Sequence, residues 1–199
     1  MRLLGTKTSP YVRKVRLAAI ELGLADRLAF EEVVLGEPPA ALTDNNPLRR
    51  VPTLIADDGM VLFDSPVIAE WLDAEHGGNR LVPASGPTRW AVLKTQALAD
   101  GLLDSATSVR HERQRDPGEQ SPAWIAKQLG KTETALDWLE ENDAWRTGAV
   151  DLGQIAVAAA LGWLGLRLPE LLDRDRLPGL LAWFDEFSRR PSMTETSPA

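Results

Sequence analysis

The sequence predicts a mixed α/β unit followed by an all-helical unit. In the first 76 residues, short apolar runs and amphipathic segments follow each other as strand, helix, strand, strand, strand and helix. Beyond residue 87, apolar residues recur at three- and four-residue steps, and no strand-like alternation is found. Residues 77–86 between them are rich in Gly and Pro, which is typical of a linker. We therefore expect domains at residues 1–76 and 87–199.

The first unit is expected to begin with a strand, a helix and a parallel strand. Residues 2–5 form a short apolar run, and Ser9 with Pro10 is typical of a helix start, with Ser as N-cap. Residues 28–35 form the second apolar run, so the three elements predict a right-handed crossover. One helix face is apolar, formed by Val12, Val15, Ala19 and Leu22. The basic side chains of Arg13, Lys14 and Arg16 are expected to lie largely away from that face.

A hairpin and a second helix complete this unit. Residues 52–56 and 61–63 are strand-like and flank Asp58 and Gly59, a pair that suits a tight turn. Ser65 with Pro66 repeats the pattern of N-cap and proline. The first unit therefore has the predicted order βαβ-ββα.

The second unit is predicted to be a helical bundle. Residues 88–115 suit a long helix whose basic end, residues 110–115, is expected to face solvent. Residues 151–154 match a capping box in which Asp151 caps the helix and Gln154 reaches back to the cap. Residues 155–164 are apolar on nearly all sides, which predicts a helix in the centre of the bundle.

Composition excludes several functional classes. The formal net charge of −7 argues against a nucleic-acid or anionic-membrane partner, since both need clustered Lys and Arg. The chain has no Cys and two His, so we expect no thiolate nucleophile, no disulfide and no metal. The N-terminal apolar run is too short for a signal peptide, and residues 152–166 fall short of the roughly 20 residues of a membrane span. We expect a cytoplasmic protein.

Residues 46–52, read Asn-Pro-Leu-Arg-Arg-Val-Pro, are the predicted ligand-binding stretch. Pro52 cannot donate a hydrogen bond to a neighbouring strand, and the prolines before it favour irregular backbone at residues 48–51. Free backbone beside a strand can pair with an extended peptide. An ordinary proline at the start of a strand would give the same pattern.

This stretch, with Asp64 and Ser65 after it, resembles the glutathione transferase family over nearly the whole chain. The family's first domain has a thioredoxin-like fold, and its usual motif Asn-Pro-x-Gly-Lys-Val-Pro has Arg49 and Arg50 here in place of Gly and Lys. The resemblance implies a cis-proline at Pro52 that leaves the backbone of Val51 to pair with the cysteinyl unit of glutathione. It also implies that Asp64 and Ser65 hold the γ-glutamyl end, with Arg50 a candidate for the glycyl carboxylate. Asp151 stands where the family's internal capping signal usually has Ser or Thr.

The same resemblance makes Ser9 the candidate catalytic residue. Its hydroxyl would donate a hydrogen bond to the glutathione thiolate, while the start of the helix adds partial positive charge. Ser9 would equally serve as an N-cap alone. Tyr11 and Thr8 are the alternative donors, and Tyr11 is expected to face the co-substrate pocket.

The implied protein is a detoxifying homodimer that uses glutathione as a co-substrate, without a metal, against a hydrophobic electrophilic small molecule. The dimer is implied by the family and by Trp71 and Trp90, which flank the domain junction. Conjugation, dehalogenation, isomerisation and peroxide reduction all begin with the same thiolate and remain open. An interaction protein without transferase activity is the alternative, and Arg49 in place of Gly favours it.

Overall fold

The structure is a computed structural model that describes residues 1–198. Its strands are β1 (Arg2–Gly5), β2 (Ala29–Glu32), β3 (Thr53–Ile55) and β4 (Val61–Leu62). Its α-helices are α1 (Pro10–Glu21), α2 (Ala40–Thr43), α3 (Ser65–Leu72), α4 (Pro87–Arg113), α5 (Pro122–Glu141), α6 (Leu152–Arg167), α7 (Pro178–Phe187) and α8 (Pro191–Glu195). An α/β unit is thus followed by helices alone, and the predicted fold class is confirmed.

The four strands form one mixed sheet in the order β2-β1-β3-β4. Strand β1 runs parallel to β2 and antiparallel to β3, with Leu3 opposite Phe30 on one side and Leu54 on the other. Strands β3 and β4 form the predicted hairpin, and Gly59 in its turn has a φ of 88°. Both the parallel pair and the hairpin are confirmed; β1 has the predicted bounds, whereas β2, β3 and β4 are shorter than the apolar runs that predicted them.

Helix α6 forms the centre of the helical unit, as predicted. Residues 152–161 are all buried, and the helix packs against α1 and α4. Asp151 caps it, since its Oδ1 accepts a hydrogen bond from the Gln154 amide at 2.9 Å. The second half of the predicted capping box is wrong. The Gln154 side chain donates instead to the carbonyls of Trp145 and Thr147, and so anchors the preceding turn.

Helix α1 is buried on more sides than its apolar stripe indicated. It contacts α3, α6 and α8, so basic residues outside the predicted apolar face are also enclosed. The Lys14 side chain is 1% exposed and pairs with Asp100 of α4 at 2.7 Å. Arg13 is 7% exposed and donates to the Met193 carbonyl at 3.0 Å. Arg13 and Lys14 are therefore buried by contacts with the helical unit that the apolar stripe alone did not indicate.

The segment between α3 and α4 is held by one buried carboxylate. Asp73 is 1% exposed and accepts hydrogen bonds from three backbone amides, those of Arg80, Leu81 and Val82. These bonds fix the chain that leads into α4. The domain limits at residues 1–76 and 87–199 stay a prediction. Among residues 1–198, no helix combines the length and the apolar character that a bilayer span requires.

Candidate active site

A cavity of about 750 Å³ lies where the α/β unit meets helices α4 and α6. One wall, called here the sheet wall, includes every predicted site residue: Ser9, Tyr11, Arg50, Val51, Pro52, Asp64 and Ser65. The opposite wall, called the helical wall, includes Asp104, Thr107, Ser108, Arg110, His111, Trp163 and Arg167. The structure therefore brings the predicted residues together around one space large enough for a small ligand.

Ser9 is the N-cap residue of α1, and its hydroxyl can both cap the helix and bind a ligand. Its Oγ accepts a hydrogen bond from the Val12 amide at 3.3 Å, so it caps the helix as predicted. This distance is longer than the typical N···O distance of an N–H···O hydrogen bond, which is about 2.9–3.0 Å. Within the described part of the chain, the hydroxyl hydrogen of Ser9 is donated to no acceptor. A hydroxyl can cap with a lone pair and still donate its hydrogen, so the same group remains able to bind an anion.

The loop before β3 is fixed by the buried side chain of Asn46. Its Nδ2 donates to the Arg50 carbonyl at 3.0 Å and to Thr53 Oγ1 at 2.9 Å, while its Oδ1 accepts from the Leu48 amide. The Val51–Pro52 peptide bond is cis, which confirms the implied cis-proline. No hydrogen bond from within residues 1–198 involves the Val51 backbone. That backbone is thus available to pair with an extended ligand.

Arg49, where the family's usual motif has Gly, has a backbone conformation that favours glycine. Its φ is 51°, in the left-handed region, and its amide donates to the Asn46 carbonyl at 2.8 Å. A side chain in this region costs roughly 1–2 kcal/mol relative to glycine. The turn therefore forms despite the substitution, at some cost in stability.

Asp64 and Ser65 lie at the start of α3, but the N-cap is one residue earlier than predicted. Asp64 is the N-cap residue, and Ser65 is the first residue of the helix. The prediction that Ser65 is the N-cap is therefore wrong. Asp64 makes no capping hydrogen bond with its side chain, so its exposed carboxylate remains available to a ligand. The amide of Ser65 is one of the unpaired donors that make a helix N-terminus suitable for anions.

Tyr11 joins the two walls of the cavity. Its hydroxyl donates to Asp104 Oδ1 at 2.5 Å. Burial, and next the hydrogen bond to Asp104, raise the pKa of Tyr11 well above its usual value. One turn along α1, Lys14 pairs with both oxygens of Asp100. Burial lowers the pKa of Lys14 and raises that of Asp100, while their mutual attraction opposes both shifts.

None of the residues of the helical wall was predicted from the sequence as a site residue. Arg110 and His111 belong to the basic run that was expected to face solvent, yet both line the cavity. Trp163, which is 6% exposed, and Arg167 contribute from α6. The available signal was the spacing of polar residues along α4, at positions 100, 104, 107, 108 and 111. That spacing places them on one helix face.

Comparison with known proteins agrees with this geometry. Residues 3–80 match the family described as Glutathione S-transferase, N-terminal domain, and residues 122–186 match Glutathione S-transferase, C-terminal domain. An uncharacterized GST-like protein of Escherichia coli K12, YibF, is 31% identical over 100% of this chain and 98% of its own.

Two solved structures of a glutathione transferase family member from Pseudomonas fluorescens Pf-5 are also similar. The first, with bound glutathione, is 41% identical with a TM-score of 0.94, and the match covers 100% of this chain and 98% of that chain. The second, with bound S-(propanoic acid)-glutathione, is 40% identical with a TM-score of 0.90, over 100% of both chains. With both domains matched and the fold shared along its whole length, the chain belongs to the glutathione S-transferase family.

Proposed function

We propose that the protein is a glutathione transferase that binds glutathione along the sheet wall and activates it as a thiolate. The observation that carries this proposal is the set of uncommitted groups in one cavity: the Ser9 hydroxyl hydrogen, the Val51 backbone and the Ser65 amide. Relatives solved with glutathione and with a glutathione derivative support the same ligand here.

The charges along the sheet wall complement those of glutathione, which carries two carboxylates and one ammonium. The γ-glutamyl carboxylate is placed at the amide and hydroxyl of Ser65, where the N-terminus of α3 favours an anion. Its ammonium is placed at the Asp64 carboxylate. The cysteinyl unit pairs with the Val51 backbone, and Arg50 takes the glycyl carboxylate. This arrangement directs the sulfur towards Ser9.

Ser9 stabilises the ionised sulfur. A free thiol with a pKa of about 8.5 is only about 3% ionised at pH 7. The site must therefore lower the pKa of the bound thiol below its value in water. The Ser9 hydroxyl donates to the thiolate, and the N-terminus of α1 adds partial positive charge. Tyr11 is the weaker candidate because its hydroxyl hydrogen is already given to Asp104.

The thiolate then attacks an electrophilic small molecule held between the two walls. The rings of Tyr11 and Trp163 line this part of the cavity and suit an apolar body. The relative solved with S-(propanoic acid)-glutathione supports a cavity with room for a substituent on the sulfur. Product identification by mass spectrometry would separate conjugation from dehalogenation, isomerisation and peroxide reduction.

Glutathione titration tests the proposed function. Calorimetry should show saturable binding with a millimolar or tighter dissociation constant, and the fluorescence of Trp163 should change because it lines the cavity. Trp163→Phe should remove most of the fluorescence change while calorimetric binding persists. An absence of binding would favour the interaction-protein alternative. The left-handed turn at Arg49 forms with a φ of 51°, which supports the proposed function over that alternative.

We further propose a cytoplasmic homodimer that associates through the outer faces of α3 and α4. Val67 of α3 is 47% exposed and Trp90 of α4 is 67% exposed. Apolar side chains of this size on neighbouring elements are typical of a protein interface. Light scattering should give twice the 21.8 kDa of one chain. Trp90→Ala should dissociate the dimer, whereas Trp124→Ala, at the 44% exposed tryptophan of α5, should not.

A further inference from the structure

We propose that the electrophile carries a carboxylate, which Arg110 and Arg167 bind at the helical wall. The inference rests on the proposed function and specifies the class of the second substrate. The co-substrate is then amphipathic, with an apolar body and an anionic end.

The two guanidinium groups come from different helices and line one cavity. Arg110 lies near the end of α4 and Arg167 is the last residue of α6, and both are half-buried. Neither forms an ion pair with any carboxylate in residues 1–198. Arg110 donates only to the neutral side chain of Gln114, at 3.2 Å.

Other arginines in the same region are neutralised. Arg113 pairs with Glu170 at 2.9 Å, and Arg115 pairs with Glu112 at 3.2 Å. In a chain with a net charge of −7, carboxylates are plentiful, yet Arg110 and Arg167 form no ion pair within residues 1–198. Unpaired arginines in a concave site are suited to a carboxylate from a ligand.

The remaining charged groups around the cavity do not satisfy these two arginines. Asp104 is the acid of the helical wall, and it is engaged by the Tyr11 hydroxyl. Exposed His111 adds another nitrogen at the rim. Asp64, Arg49 and Arg50 belong to the sheet wall, where the glutathione charges are placed. The helical-wall arginines are thus left for the second substrate.

A nitro-substituted aryl chloride with a carboxylate, 4-chloro-3-nitrobenzoate, fits this description. The thiolate sulfur forms a bond to the ring carbon that bears chlorine, and the carbon–chlorine bond breaks as chloride leaves with the electron pair. The proton of the thiol has already passed to solvent. The ring would lie against Tyr11 and Trp163, with the carboxylate at Arg110 and Arg167.

Equilibrium binding of two matched conjugates tests the inference without requiring turnover. S-(2-carboxyethyl)glutathione carries a carboxylate, and S-(2-carbamoylethyl)glutathione replaces it with a neutral amide of similar size. The acid should bind about ten-fold more tightly, equivalent to about 1.4 kcal/mol. The preference should shrink as salt is raised from 20 to 500 mM, because salt screens partly exposed charges.

Single variants then locate the preference. Arg110→Gln and Arg167→Gln should each reduce the preference for the acid conjugate, so that the acid and the amide bind more nearly equally. The affinity for glutathione itself should stay near that of the wild type. Arg115→Gln is the matched control, since it removes the same charge just after the end of α4 and outside the cavity. Its acid-to-amide ratio should be unchanged. Relative rates with 4-chloro-3-nitrobenzoate and its amide, each divided by the uncatalysed rate, should follow the same pattern.

The outcomes separate this inference from the proposed function. If glutathione itself does not bind, the proposed function fails and the inference fails with it. If glutathione binds but the acid and amide conjugates bind equally, only the inference is overturned. A preference that Arg115→Gln reduces as much as Arg110→Gln and Arg167→Gln do would reflect net charge, and would also overturn it.

Discussion

Replacement of Ser9 by Ala separates thiolate stabilisation from helix capping. It deletes the hydroxyl but leaves the N-terminus of α1 and the Val51 backbone in place. Loss of a hydrogen bond to a charged group costs about 1.5–3 kcal/mol, which corresponds to roughly one to two units in the pKa of the bound thiol. A rise from about 6.5 to about 8 would lower the ionised fraction at pH 7 from roughly three quarters to roughly one tenth.

The rate near pH 7 should therefore fall roughly ten-fold, with little change in glutathione binding. The loss should shrink as pH rises to about 9, because glutathione is then ionised in both proteins. The direct measurement is the ultraviolet absorbance of the bound thiolate as a function of pH. Tyr11→Phe should leave this titration in place, since the Tyr11 hydroxyl is committed to Asp104.

Ser121→Ala is the matched control for stability. Ser121 caps α5 before Pro122 and accepts from the Trp124 amide at 3.3 Å, the same length as the bond from Val12 to Ser9. Each substitution should lower the free energy of unfolding by about 1 kcal/mol or less, because a bond of this length is a weak cap. Only Ser9→Ala should change the thiolate titration. If wild type and Ser9→Ala titrate at the same pH, Ser9 is only a cap and the proposed role is refuted.

Three further predictions concern binding and stability. Asp64→Ala should raise the KM for glutathione about ten-fold with little change in kcat, because the ammonium is held equally in ground and transition states; steady-state kinetics with an unchanged KM would remove Asp64 from the site. Arg49→Gly should raise the free energy of unfolding by about 0.5–1 kcal/mol in urea denaturation, more than Asn79→Gly does, since Asn tolerates its φ of 59°. Asp151→Ser should be more stable than wild type at pH 7, because burial raises the pKa of Asp151 and so disfavours its charged form. That advantage should disappear as pH falls through the folded pKa and Asp151 becomes neutral; urea melts that show a constant difference would contradict this reasoning.

The fold was predictable because its signals are local. Ser-Pro pairs mark the starts of α1 and α5, Asp58 with Gly59 marks the hairpin, and the apolar run after Asp151 marks the central helix. Errors arose where a tertiary contact competed with a local pattern. The Gln154 side chain fits a capping box in sequence, but the turn at Trp145 offers it carbonyl acceptors. Hydrophobic periodicity likewise does not indicate a buried ion pair, so the sequence did not reveal that Lys14 is enclosed.

The two walls of the cavity differed in how well they could be predicted. The sheet wall includes short motifs whose residues are near one another in sequence, so resemblance to a family could indicate seven residues that line it. The helical wall is assembled from α4 and α6, whose contributing residues are more than fifty positions apart. Arg110 and Arg113 are alike in sequence context, yet one lines the cavity and the other pairs with Glu170. Only the packing of the helices distinguishes them.

Helix α1 connects the sheet wall to the helical wall. Its first residues place Ser9 beside the proposed sulfur position, and its next turn contacts α4 through Tyr11 with Asp104 and Lys14 with Asp100. The helix proposed to orient the thiolate is therefore the helix that fixes the spacing to the helical wall. A buried Lys–Asp pair is costly to disrupt, typically about 3–5 kcal/mol when one partner is lost, so this spacing is held firmly. The distance from the proposed sulfur position to the arginines of α4 and α6 is then fixed. A co-substrate of one length would span it without any movement of the sheet.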